Sequence, residues 1–371
     1  MAKCKEWQLF EPSFLCGGFL RVWRLPASVA ASGPSCALIM TSIGSPYMLN
    51  PHPTVASPRR RGLTLNSILI YTQKLASQES NMEVSLCSVL PLFMLLLVST
   101  ADGGLSATFY ERSCPKLEAI VRKSMREIVR KEPRMAASIL RLSFHDCFVN
   151  GCDASVLLAD TPTFTGEQNA KRNRNSIRGM DKIEEVKTNV EAACSGMVSC
   201  ADILALAARD AVVLAGGPSW TVLLGRRDAR MANQTAANIN IPSPALSLGI
   251  LTSRFSAKGL SQRDLVALSG VHTIGFTRNG SVTLLQLDVQ TADIFDNAYY
   301  QNLVAQRGVL RSDQELFGDD TDRSTKSIVE RYIGNESLFF RDFAAAMVSM
   351  GNISPLTGTG GEIRKNCSKL N

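Results

Sequence analysis

Apolar residues recur at steps of three and four through Leu117, Ile120, Val121, Met125, Ile128 and Val129, which predicts an amphipathic helix. Ser113-Cys114-Pro115 stands just before it, where proline suits a first helical turn. A second helix is expected from about Pro133 to Phe148, and a third through Met180, Ile183, Val186 and Val190. The stretch Ala201 to Leu214 is apolar almost all round, as a helix central to a core should be, and Gly216-Gly217-Pro218 ends it. Ser261-x-x-Asp264 reads as a capping box opening a helix that carries Leu265, Leu268 and His272 on its apolar face. A last helix carries Phe339, Phe343, Ala346, Met347 and Met350. Strand signals are few and short and no internal repeat is present, so the fold class is mainly α.

That pattern does not reach the N-terminus. Residues 1–81 lack sustained helical periodicity and are expected to be an upstream or mis-annotated leader. Met82 opens a short polar region, an apolar run follows from Val84 to Val98, and Ser99-Thr100-Ala101 supplies small residues for cleavage. Residues 82–101 therefore read as a secretory signal peptide, the run being short for a membrane span. The rival is a real extension that turns the run into a signal anchor. The remaining domain runs from 105 to 371.

The chain's 45% hydrophobic content is that of a globular protein, and its formal charge of +7 is spread out rather than gathered in one tract. The one dense basic cluster, Arg59-Arg60-Arg61, has no aromatic interleaving, so no nucleic-acid partner is expected, nor any stable membrane partner. From Leu105 onward there are six cysteines: Cys114, Cys147, Cys152, Cys194, Cys200 and Cys367. An even number after a signal peptide reads as disulfides in an oxidising compartment, with fifteen pairings open. Sequons at Asn233, Asn279, Asn335 and Asn366 agree with a secreted glycoprotein.

Only two histidines, His145 and His272, follow the signal region. Arg141 and His145 are four apart on one expected helix and share a face. Buried in a plain core, that charge would want a partner. Over a bound substrate, a neutral imidazole can move a proton between two oxygens while a guanidinium stabilises negative charge as an O–O bond breaks. His272 on an apolar face is more often a satisfied core histidine, but the same placement is what a proximal haem ligand requires.

The run from Ile139 to Ser155, Ile-Leu-Arg-Leu-Ser-Phe-His-Asp-Cys-Phe-Val-Asn-Gly-Cys-Asp-Ala-Ser, resembles the distal signature of class III secretory plant peroxidases. Leu268-Ser-Gly-Val-His-Thr-Ile-Gly275 is similar to the proximal motif of the same family. The likeness continues through Val198-Ser-Cys-Ala-Asp202, Gly225-Arg-Arg-Asp228, Ser312-Asp-Gln-Glu-Leu-Phe317 and Met350-Gly-Asn-Ile-Ser-Pro-Leu-Thr357. It implies a haem peroxidase fold, with helices in distal and proximal halves and one haem b between them. It implies a secreted monomer of the extracellular space or cell wall. Its partners would be hydrogen peroxide and small phenolic donors, in lignin or phenolic metabolism and the response to oxidative stress. By resemblance His272 is the axial ligand and Asp313 accepts its Nδ1 proton. His145 is the acid–base group, Arg141 stabilises the leaving oxygen, Asn173 orients His145, and Pro242 lies in the donor-contact loop. Two Ca²⁺ ions are implied. One would be held by Asp146, Val149, Gly151, Asp153, Ser155 and, through a network, Glu167; the other by Thr273, Asp288, Thr291, Ile294 and Asp296. The implied disulfides are Cys114–Cys194, Cys147–Cys152 and Cys200–Cys367.

The chain departs from the family after His272. Asn279 stands where a cysteine is usual, that cysteine's partner is absent, and only sixteen positions separate His272 from Asp288. Some tens of residues are therefore expected to be missing between 279 and 288, a gap that sixteen residues, reaching about 50 Å when extended, can still close. Lys171, Arg172 and Arg174 also stand where less charged residues are usual. The alternative to an active enzyme is a non-catalytic secreted relative that lost haem binding through this deletion. A zinc module using His145, Cys147 and Cys152 is a more distant rival.

Overall fold

The computed structural model describes residues 104–279, 283–318 and 323–371. The expected leader and signal peptide lie outside the described residues. Helix α1 (Leu117–Lys131) buries Leu117, Val121, Met125 and Ile128, the stripe its periodicity specified. Helix α2 (Met135–Cys147) carries Arg141 and His145, and α3 (Met180–Ala193) buries Ile183, Val186 and Val190. Helix α4 (Cys200–Leu214) is capped by the Ser199 side chain, which accepts from the Asp202 N–H, and is buried along most of its length. Both α1 and α2 lie against α4, and α3 closes over α1 and α4. Burying α4 on several sides places α2 firmly, and with it Arg141 and His145.

The second half is built from shorter pieces. Helices α5 (Gln234–Asn240) and α6 (Leu248–Ser256) lead to α7 (Gln262–Ser269), whose capping box has Ser261 and Asp264 bonded reciprocally. His272 does not continue α7. The helix stops at Ser269, and residues Gly270–Thr273 form a 3₁₀ turn that carries His272. Packing is tight at Gly270, where an added Cβ would stand 2.3 Å from the Tyr300 hydroxyl and 2.6 Å from Phe339.

Between His272 and Asp288 the chain makes an antiparallel hairpin, β1 (Phe276–Asn279) and β2 (Thr283–Gln286), with Phe276 opposite Gln286. All of β2 is exposed. The hairpin base is closed by Gly275 N–H to the Ala292 carbonyl (2.9 Å) and Leu287 N–H to the Gly275 carbonyl (3.0 Å). Helices α8 (Ala298–Val304), α9 (Arg311–Gln314), α10 (Arg323–Gly334) and α11 (Glu336–Gly351) complete the domain, α11 packing along α7. Disulfides join Cys114 to Cys194, Cys147 to Cys152 and Cys200 to Cys367, the three pairs that the resemblance implied. Oxidation of Cys147 and Cys152 removes the two thiolates a zinc module would need.

Candidate active site

Helix α2 turns Arg141, Phe144, His145 and Phe148 to one side, with Ser143 and Cys147 on the other. On the reactive side the His145 Nδ1 lies 2.5 Å from the Asn173 Oδ1. Asn173 is wholly buried, and its amide donates onward to the Glu167 carbonyl at 2.8 Å, which fixes the amide so that its oxygen faces the ring. The imidazole therefore carries its proton on Nδ1, leaving Nε2 with a lone pair and no hydrogen bond among the described residues. Burial, then the positive charge of Arg141, pushes the His145 pKa down to about 3, so the ring is neutral at ordinary pH.

Arg141 is held by a loop rather than by an acid. Its Nη1 donates to the Ser176 carbonyl (2.8 Å), and its Nη2 donates to the Arg172 carbonyl (2.7 Å) and the Ser176 hydroxyl (2.9 Å). Burial lowers its pKa, and no carboxylate pairs with it among the described residues. A guanidinium held by neutral oxygens keeps its full charge for whatever anion forms beside His145.

On the other side, the His272 Nδ1 lies 2.8 Å from the Asp313 Oδ1, and Nε2 again has no hydrogen bond among the described residues. Burial works against protonation of this ring, but the charge and hydrogen bond of Asp313 outweigh it and leave the pKa above its ordinary value. The charge of Arg141 also opposes protonation of His272, as the weakest of the influences on that ring. The His272 side chain keeps 30% of its surface accessible although burial is the strongest influence on it. A ring that lies deep yet is not packed against marks the wall of a cleft. A separate cavity, lined by Ser143, Ala205, Trp220, Arg226 and Met350, lies behind α2 and holds none of the catalytic candidates.

Several supporting groups were not legible in the sequence. Tyr299 is buried and its hydroxyl donates to the same Asp313 oxygen at 3.1 Å, so that carboxylate serves two donors. The Arg172 and Ser176 carbonyls hold Arg141, but carbonyls leave no trace in side-chain patterns. Pro242 follows α5, and the Ser312 N–H bonds the Pro244 carbonyl at 2.9 Å, tying this loop to the residue before Asp313.

The acidic residues fall into two groups. Asp146, Asp153 and Glu167 are buried together; burial and mutual repulsion raise the Asp146 pKa well above the carboxylate range, and burial pushes Glu167 to about 7. Glu167 Oε2 and Ser155 Oγ are buried without a hydrogen-bond partner. Gly151 keeps this loop close to the tail, since at φ +140° an added Cβ would stand 2.2 Å from the Ser354 carbonyl. The Val149 carbonyl accepts from Lys258 Nζ (2.9 Å) and from the Asn240 amide (3.3 Å). In the second group the Thr273 hydroxyl donates to Asp296 (2.9 Å) and Asp288 (3.3 Å), and Thr291 Oγ1 is buried without a partner. Ile294 is exposed, with its N–H bonded to the Thr291 carbonyl. Among the described residues no three His, Cys, Asp or Glu side chains are arranged to hold a metal alone, so any cation must also draw on hydroxyl and backbone oxygens.

A family model described as "Peroxidase" matches residues 121–335. Peroxidase P7 of Brassica rapa subsp. rapa is 53% identical over 298 residues, covering 72% of this chain and all of that protein. Peroxidase 70 of Zea mays is 50% identical over 315 residues (76% of this chain, 97% of that protein). Peroxidase 4 of Vitis vinifera is 48% identical over 328 residues (80% of this chain, 100% of that protein). The first alignment spans 298 positions but 72% of 371 residues is about 267, so about thirty positions of that relative have no counterpart here.

Proposed function

The chain belongs to the peroxidase family, and from that membership we propose that His145, Arg141 and His272 work the two sides of a single haem b. The enzyme is a peroxidase. Hydrogen peroxide and two donor molecules become two waters and two donor radicals, the donors being small phenols. The observation that carries the assignment is the paired geometry of the histidines: each has Nδ1 tied to a buried side-chain oxygen and Nε2 without a hydrogen bond among the described residues.

The cleft residues fit a haem. His272, its ring partly accessible, would hold the haem iron through Nε2, and Asp313 on Nδ1 would give that imidazole added basicity. When bound, the haem supplies the redox centre that takes two oxidising equivalents from peroxide and releases them to donors one at a time. The protein's own work is proton handling and charge stabilisation. The neutral Nε2 of His145 takes the proton from the near oxygen of peroxide and returns it to the far oxygen as the O–O bond breaks. Arg141, its charge not shared with a carboxylate, stabilises the departing oxygen. Asn173 keeps the His145 proton on Nδ1 throughout.

Two calcium sites belong to the same reading. Asp146, Asp153, Ser155 and the Val149 and Gly151 carbonyls, with Glu167 joining through a network, would hold the distal ion. The buried acids that repel one another and the unpartnered Ser155 and Glu167 oxygens support a cation there. The Val149 carbonyl already accepts from Lys258, and its second lone pair remains for an ion only if the Asn240 amide yields. Thr273, Asp288, Thr291, Asp296 and the Ile294 carbonyl would hold the proximal ion, with the unpartnered Thr291 hydroxyl in support. The segment missing relative to the family lies between 279 and 288, where the exposed hairpin stands in its place. The working form is a secreted monomer that begins after the signal peptide and acts outside the cell or in the wall. Among the described residues no helix is long and apolar enough to cross a membrane.

The test is a pair of variants. His272→Ala should fold, by circular dichroism, yet fail to retain haem through gel filtration. His145→Ala should retain haem and lose roughly 10²–10⁴-fold in its rate with peroxide. Haem retention by the first variant, or an unimpaired rate in the second, would contradict the assignment.

A further inference from the structure

The loop that covers the distal side carries three cations in four residues, Lys171, Arg172 and Arg174, flanking the buried Asn173. All three are exposed, and none forms an ion pair among the described residues. A surface charge run is ordinarily a solvated face and nothing more. Three observations set this one apart. Its backbone is fixed: the Arg172 carbonyl accepts from Arg141 (2.7 Å), the Lys171 N–H donates to the Asn238 Oδ1 (2.6 Å), and the Arg174 N–H donates to the Ala170 carbonyl (2.9 Å). Its location is specific, because Asn238 lies in α5, which runs directly into Ile241 and Pro242. The backbone that carries the three cations is thus tied on one side to Arg141 and on the other to the helix that leads into Pro242. Third, the flanking acids along the chain are already engaged, Asp181 with Lys182 at 3.4 Å among them. Glu167 is buried and accepts from the Asn233 N–H (3.0 Å), and Asp160 accepts from the Gly166 N–H and the Asn169 amide (both 2.6 Å).

We propose that Lys171, Arg172 and Arg174 form a cationic rim at the donor entrance that selects phenols bearing a carboxylate over neutral phenols with the same ring. The inference rests on the reading of His145, Arg141 and Pro242 as the peroxide and donor site. The carboxylate takes no part in the chemistry; the phenol alone loses its hydrogen atom. The rim raises the local concentration of anionic donor and prolongs its stay. Because the cations are exposed, the effect is screened once the Debye length shrinks to a few ångströms.

Ferulate and coniferyl alcohol share one phenolic ring and differ in charge, which makes them the probes. Their binding to the resting, haem-loaded enzyme is measured by calorimetry, and kcat/KM for each is measured at low and high ionic strength. The ferulate-to-alcohol ratio should fall roughly fivefold from low to high salt in both measurements. Lys171→Gln with Arg172→Gln and Arg174→Gln should show the lower ratio already at low salt. Replacing the same three residues with Glu should drive the ratio below that of the Gln variant, a change that mere loss of folding cannot imitate. Ratios that are equal in wild type and both variants would overturn the proposal. So would variants that lose retention on polygalacturonate while the donor ratio stays fixed, which would make the rim a polysaccharide contact. Charge-selective binding of ferulate without oxidation of either donor would count against the peroxidase reading and leave the rim standing.

Discussion

His145 is kept neutral by burial and by the charge of Arg141, with its pKa pushed down to about 3 against an ordinary 6.5. The base is therefore ready at every pH well above that value. In a stopped-flow series the rate with peroxide should stay level from neutral pH into the acid range and fall only as pH nears 3. A rate that halves near pH 6.5 would mean that the ring is solvated. Stability follows with a definite sign. Between 6.5 and about 3 the unfolded chain binds a proton at this ring that the folded state refuses, so the contribution present above pH 6.5 is lost as pH falls toward 3. On the opposite side, the Asp313 carboxylate is divided between His272 and Tyr299. Arg141, His145 and His272 were legible as residue types at informative spacings. Tyr299 was not, because a tyrosine among apolar neighbours reads as core until its hydroxyl is seen to reach an acid.

At the scale of elements, the helices that periodicity specifies are those found, because each buries one stripe against α4 or α7. The capping box at Ser261 and Asp264 is present with both of its bonds. Placing His272 on the face of α7 was the error: periodicity extends a face for as long as apolar residues recur, whereas the α-helix stops at Ser269 and His272 lies in the 3₁₀ turn that follows. The hairpin was equally unreadable, since β2 is exposed on both faces and has no alternation to read. Two stability measurements follow. Ser261→Ala removes a cap about three turns before His272 and should cost about 1 kcal/mol in urea unfolding. Leu284→Thr, on the exposed strand, should stay within about 0.5 kcal/mol of wild type. A larger loss there would mean that the hairpin is covered.

Across the whole molecule, the distal acids link α2 to the loop after it and to the C-terminal tail, where Arg364 donates to the Ala154 carbonyl at 2.6 Å. Without a cation, burial lifts Glu167 to about 7 from an ordinary 4.5. The folded, cation-free protein then holds a proton that the unfolded chain has released, so its stability drops as pH rises through 7. A calcium ion held by the proposed distal site would offset that loss and displace the proton. The gain in Tm on adding calcium should therefore be larger at pH 8 than at pH 5, and chelation should release haem more readily at the higher pH. A calcium effect independent of pH would remove Glu167 from the network.

The central claim is that His272 and His145 serve one haem despite the short connection to Asp288. The most direct measurement is an absorption spectrum of protein secreted from Met82 with haem supplied, taken before and after one equivalent of peroxide and again after a phenol is added. The expected result is a ferric haem Soret band that shifts with peroxide and returns with the phenol. A folded protein that takes up no haem would contradict it, and would make this chain a secreted relative that kept the fold and lost the chemistry.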